Sequence, residues 1–186
     1  MGQYSWRDLV RVPGLLSLAR LPLAAVFPVV ADEPRLALAV LGAAALSDVL
    51  DGWYARRFGQ VTATGAALDP LTDKLFVIVV VVTLAARGLV SPSEFVLVTT
   101  REIGELPLVV WLVSDRAARR TRALSATANA PGKLATSLQF VSIVLVLIRS
   151  PFARDAIVWT ALAGAAAAVL YWSRALRESR SGRARE

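Results

Sequence analysis

The chain has 186 residues, 56% of them hydrophobic and 19% charged, with a net charge of +7 and a mean hydropathy of +0.57. A soluble domain is nearer half apolar and about a quarter charged, so this composition, gathered into long apolar blocks, is that of a polytopic membrane protein. With no His and no Cys, thiol catalysis, Cys-based metal sites and disulfides are excluded, and carboxylates, Lys/Arg, hydroxyls and backbone must carry any chemistry.

Residues 1–12 set Tyr4, Trp6, Leu9 and Val10 against Arg7, Asp8 and Arg11, the pattern of an amphipathic helix lying in the membrane interface. The segment has no small-residue cleavage site and is not read as a removed signal peptide. Six apolar stretches follow at 13–30, 35–57, 65–86, 93–114, 133–149 and 154–173, several of them near the ~20 residues a helix needs to cross the hydrocarbon core. Residues 174–186 form a polar, frayed helical tail. The expected fold is an all-α integral membrane protein of six transmembrane helices, a single domain over 1–186.

Fourteen Lys and Arg fall on one side of these spans and four on the other, with Arg20, Lys74 and Arg101 inside them. That asymmetry places both termini in the cytoplasm and agrees with an even number of spans. It also assigns the positive charge to a membrane surface and its anionic lipids rather than to nucleic acid, since the Arg excess sits at span ends. Arg116, Arg119, Arg120 and Arg122 form a basic loop on that side.

The second and third spans carry acids that a plain membrane anchor avoids. Asp48 and Asp51 are spaced i,i+3 and share one helix face; Asp69 and Asp73 are spaced i,i+4 and share another. An antiparallel hairpin turning near residue 60 sets Asp48 level with Asp73 and Asp51 level with Asp69. One Asp at a helix centre costs about 2.5–3.5 kcal/mol, so four unpaired ones would cost roughly 10 kcal/mol or more, before their mutual repulsion. Arg56, Arg57 and Lys74 are too few, and partly placed elsewhere, to offset this. Hard divalent cations suit such an all-oxygen set; Asp/Arg salt bridges between two helices are the plainer alternative.

The order Asp48, Asp51-Gly52, Ala55-Arg56, Gly65, Asp69, Asp73 fits D-x2-D-G-x2-A-R-x8-G-x3-D-x3-D without a gap. At every one of these positions the chain resembles the CDP-alcohol phosphatidyltransferase family, whose members displace CMP from a CDP-linked lipid with an alcohol, using two divalent ions. The resemblance implies a Mg²⁺ or Mn²⁺ pair: Asp48, Asp51 and Asp69 on one ion, Asp48, Asp69 and Asp73 on the other. It also implies Asp73 as the base on the acceptor hydroxyl, and Thr62 beside the cytidine. Gly52 and Ala55 leave the face of Asp51 open to the nucleotide, Arg56 can fork onto a phosphate, and Gly65 completes the CDP-lipid-binding set. Simple helix packing is the plainer reading of Gly52, Ala55 and Gly65, and a positive-inside anchor that of Arg56.

Three further stretches bear on the acceptor. Pro13, Ser17, Arg20 and Pro22, then Thr100-Arg101-Glu102, then Gly132-Lys133, Thr136 and Gln139 resemble the phosphatidylglycerophosphate synthases of that family, the last stretch also its eukaryotic-type cardiolipin synthases. The implied substrates are CDP-diacylglycerol and a small anionic alcohol, sn-glycerol 3-phosphate first; phosphatidylglycerol or inositol phosphate are the alternatives. Lys133, Arg101 and Arg20 are the candidate acceptor ligands. Each has a plainer reading: an inside-positive flank for Lys133, an i,i+4 pair with Glu105 for Arg101, snorkelling for Arg20. The resemblance further implies a homodimer, and a bacterial inner membrane with the site on its cytoplasmic face. A divalent-cation transporter using the same acids is the reading outside the enzymes; it has no need of Arg56 or of the Gly/Ala openings.

Overall fold

The computed structural model describes residues 12–59, 63–105, 107 and 130–183, and every regular element among them is helical. The chain forms two compact units, Met1–Leu89 and Val90–Glu186. The expected interfacial segment, apart from Val12, and the basic loop at 116–122 lie outside the described residues.

In the first unit α1 (Val12–Leu18) and α2 (Arg20–Val30) are followed by α3 (Pro34–Arg57) and α4 (Ala63–Ala86), with α1 and α2 each packed on both α3 and α4. The stretch expected as one span, 13–30, is thus two helices parted at Ala19. Pro22 supplies the reason: it has no N–H for the Leu18 carbonyl, and its ring crowds that carbonyl. Pro34 opens α3 at its first turn, where a missing N–H is harmless. The buried face of α3 runs Ala37, Leu41, Ala44, Ser47, Asp51. This is a helical stripe that begins apolar and ends in a carboxylate, so the packing that buries Ala37 also carries Asp51 inward. Phe27 of α2 meets Phe76 of α4 edge-on, ring centroids 6.4 Å apart, above buried Val80 and Leu84. Gly88 closes α4 at φ +67°; the amides of Gly88 and Leu89 return to the carbonyls of Ala85 and Leu84, the left-handed stop that glycine adopts most easily.

In the second unit α5 (Pro92–Val98) starts on a capping box. The Glu94 amide donates to the Ser91 hydroxyl, and the Ser91 amide to the Glu94 carboxylate. The chain turns at Thr99 and is helical again over 100–105, so the expected 93–114 stretch is interrupted. Thr99 and Thr100 donate their hydroxyls to the carbonyls of Phe95 and Val96, competition with the backbone that bends helices. Next come α6 (Ala130–Leu147) and α7 (Ala153–Arg183), which pack on each other, with α5 on α7. Ser142 and Thr160 share a buried hydroxyl hydrogen bond of 2.7 Å between α6 and α7. The last helix continues ten residues past the apolar stretch, through Arg183 and into the tail read as helical, because Ala, Leu, Arg and Glu favour helix whether or not they are apolar.

By length and composition, α3 and the Ala153–Ser173 part of α7 are long and apolar enough to cross a membrane; Gly14–Val30 and Gly132–Leu147 are shorter apolar stretches. At ~1.5 Å per residue α3 is about 36 Å long, somewhat more than a hydrocarbon core.

Candidate active site

In the first unit the site is organised around Arg20, the first residue of α2. Its side chain is buried, 1% exposed. Its Nη2 donates to Asp48 Oδ1 at 2.8 Å and to Asp51 Oδ2 at 2.7 Å, and its Nη1 to Thr72 Oγ1 at 3.3 Å. Ser17, one turn earlier, donates its hydroxyl to the same Asp51 Oδ2 at 3.0 Å. Ser47 donates to the Leu16 carbonyl at 3.3 Å, tying α3 to α1 just above the acids.

Two of the four sequence-predicted carboxylates therefore converge on one positive centre. They differ in setting: the Asp51 side chain is 3% exposed and that of Asp48 51%. Taking one partner away from a buried, hydrogen-bonded ion pair costs about 3–5 kcal/mol, so the Arg20–Asp51 link matters to the fold as well as to the site. Asp73 follows Thr72 directly on α4 and is half-buried, so the Arg20 guanidinium touches both the Asp48/Asp51 pair and the immediate neighbour of Asp73. Asp69 lies on α4, but its side chain is outside the described residues, as is Thr62. Among the described residues no three acidic side chains gather into a metal-holding group.

Whether these residues suit a divalent cation rests on their chemistry. The donors are carboxylate oxygens, which hard ions prefer, and one guanidinium nitrogen already stands within 2.8 Å of two of them. The set fits a cation.

Gly52 and Arg56 form a pair of their own. A Cβ placed on Gly52 would stand 3.1 Å from Arg56 Nη1 and 3.5 Å from Nη2. The guanidinium thus lies back over Gly52, one turn up α3, in space that another residue would occupy. Ala55 is half-buried and Arg56 exposed.

The second unit holds a separate polar cluster. Arg101 Nε donates to Glu105 Oε1 at 2.8 Å, the i,i+4 pair that the sequence offered as the plainer reading, and its Nη1 donates to the Thr136 hydroxyl. Thr136 donates to the Gly132 carbonyl at 3.0 Å. Buried Gln139 donates to the Val98 carbonyl at 3.0 Å and to Glu102 Oε2 at 3.2 Å. Trp172 Nε1 donates to the Gly104 carbonyl at 3.0 Å. Lys133 is exposed at the start of α6.

Sequence reasoning missed Thr72 and Trp172. A lone hydroxyl beside Asp73 in an apolar helix was a usable signal for Thr72; Trp172, in an Ala-rich span, gave none. It also left Arg20 out of the cations set against the aspartates, because Arg20 stands on a different span.

The family described as CDP-alcohol phosphatidyltransferase matches residues 10–171. The cardiolipin synthase (CMP-forming) of Homo sapiens is 32% identical over 104 residues, 54% of this chain and 35% of the relative. A CDP-diacylglycerol–glycerol-3-phosphate 3-phosphatidyltransferase of Aquifex aeolicus is 40% identical over 100 residues, 50% of this chain and 55% of the relative. The protein of the same name in Salmonella typhimurium is 30% identical over 172 residues, 87% of this chain and 90% of the relative. The chain thus spans about a third of the length of the human relative and nearly all of the Salmonella one.

Proposed function

Because the chain belongs to the CDP-alcohol phosphatidyltransferase family, we propose that it transfers the phosphatidyl group of CDP-diacylglycerol to sn-glycerol 3-phosphate with release of CMP. The observation that carries this reading is the convergence of Asp48 and Asp51 on one cationic centre within the unbroken eight-position motif. The choice of acceptor is supported by coverage. Similarity to the Salmonella glycerol-3-phosphate enzyme extends over 87% of this chain, against 54% for the human cardiolipin synthase. Transfer to phosphatidylglycerol, giving cardiolipin, is the second reading, favoured by the Gly132-Lys133, Thr136, Gln139 stretch that both enzyme groups share.

Asp48, Asp51, Asp69 and Asp73 would hold two divalent ions, Mg²⁺ or Mn²⁺. When bound, these neutralise the diphosphate and make its phosphorus more electrophilic. Asp73 accepts the proton of the acceptor hydroxyl, whose oxygen attacks the phosphatidyl phosphorus; the bond to the CMP oxygen breaks and CMP leaves. Arg56, lying over Gly52, places a forked donor beside the nucleotide phosphates, with Ala55, Thr62 and Gly65 completing that side. Lys133 and Arg101 contribute positive charge for the acceptor phosphate. The setting is a bacterial inner membrane with six spans, the site on its cytoplasmic face, and the working form is a homodimer.

The purified protein in detergent, given CDP-diacylglycerol and Mg²⁺, is expected to release CMP in the presence of an alcohol acceptor and to stop when EDTA is added. Divalent-ion flux into proteoliposomes with no CMP release under any acceptor would replace this reading by a transporter.

A further inference from the structure

The two acids of α3 are held by a side chain that the transfer chemistry does not use. We propose that Arg20 is the resident counter-ion of the carboxylate site: it keeps Asp51 and Asp48 paired while no metal is present, and a divalent cation must compete with it for their oxygens. This second half rests on the metal reading above; the first half does not.

Three observations carry it. The guanidinium is 1% exposed and the Asp51 side chain 3%, so the contact sets two buried charges of opposite sign against each other, the arrangement in which burial of charge is tolerated. One nitrogen, Nη2, reaches both carboxylates, at 2.8 and 2.7 Å, which sets their oxygens near each other, as a shared cation would. The bonds from Ser17 to Asp51 Oδ2 and from Arg20 to Thr72 fix the arrangement from α1 and α4 as well. Asp48 and Asp51 thus have a cationic partner on a neighbouring helix. This differs from the acceptor contact that the sequence suggested for Arg20: both terminal nitrogens are engaged inside the unit.

Arg20 is accordingly a positioning residue, and its test is a double-mutant cycle with Asp51 read by thermal unfolding in detergent, in EDTA and with added Mn²⁺. In EDTA, Arg20→Gln is expected to lower the midpoint strongly, Arg20→Lys less. Arg20→Gln combined with Asp51→Asn is expected to recover much of the loss, because the stranded carboxylate is gone. If the double variant is no more stable than Arg20→Gln alone, or both fail to fold, Arg20 is not the counter-ion of Asp51. For the second half, Mn²⁺ binding followed by electron paramagnetic resonance is expected to be tighter in Arg20→Gln than in the parent by about tenfold, as when a competing positive charge is removed. Equal or weaker Mn²⁺ binding overturns the competition. A parent protein that binds no Mn²⁺ overturns the metal reading and the competition with it, and leaves the EDTA cycle standing.

Discussion

Asp73 and Gly52 illustrate two ways in which a single residue limits this site. In the proposed mechanism Asp73 acts as the base: Asp73→Asn keeps the shape and one oxygen but cannot take the hydroxyl proton. Turnover is expected to fall by roughly a thousandfold, within the range attributed to general bases, while CDP-diacylglycerol binding remains measurable by calorimetry. Near-normal turnover would remove Asp73 from that role. Gly52 acts through what it lacks. A methyl group there would meet Arg56 Nη1 at 3.1 Å, and the guanidinium must give way. Gly52→Ala is expected to raise KM for CDP-diacylglycerol several-fold with little change in unfolding midpoint, since alanine suits a helix better than glycine. A fall in stability with KM unchanged would mean that Gly52 serves packing rather than substrate. The motif spacing made these residues visible. It could not show that Arg56 folds back over Gly52, because side-chain direction is not encoded in spacing.

At the scale of the element, the apolar blocks marked where most helices run, because a chain in lipid must satisfy its backbone internally and helices do so. Block boundaries were less legible. Pro22 splits the first block at Ala19, and the hydroxyls of Thr99 and Thr100 accompany the turn in the fourth; both depend on local backbone bonds rather than on hydropathy. The polar end of α7 reads as helical and is so through Arg183, by propensity without apolarity. Helix contacts also rest on small residues, as the Gly- and Ala-rich run Gly164 to Ala168 leads one to expect. A Cβ on Gly104 would lie 2.7 Å from Ala168 Cβ, whereas one on Gly42 of α3 would meet nothing within 4 Å. Gly104→Ala is therefore expected to destabilise the second unit by about 1–3 kcal/mol, the usual cost of overpacking. Gly42→Ala is expected to be neutral or to stabilise by up to about 1 kcal/mol. Thermal unfolding of the two variants in detergent decides it; equal effects would mean that the crossing of α7 near Ala168 is not a close contact.

For the molecule as a whole, hydrophobicity set a problem that the acids and Arg20 solve together. The sequence showed four aspartates in apolar surroundings and required a compensating cation. It did not show that one compensating cation belongs to the protein, since Arg20 is separated from Asp48 and Asp51 by 28 and 31 positions and meets them only once α2 has packed on α3. The same distance along the chain hid Thr72, 52 positions from Arg20. The family chemistry was legible because eight positions of one motif lie in a single run; the acceptor had to be read from candidate residues scattered over other helices. The most direct measurement is CMP release from CDP-diacylglycerol by the purified protein with Mg²⁺, across a panel of acceptors with the lipid product identified. The expected result is release with sn-glycerol 3-phosphate and formation of phosphatidylglycerophosphate, abolished by EDTA. Release with phosphatidylglycerol but not with sn-glycerol 3-phosphate would contradict it.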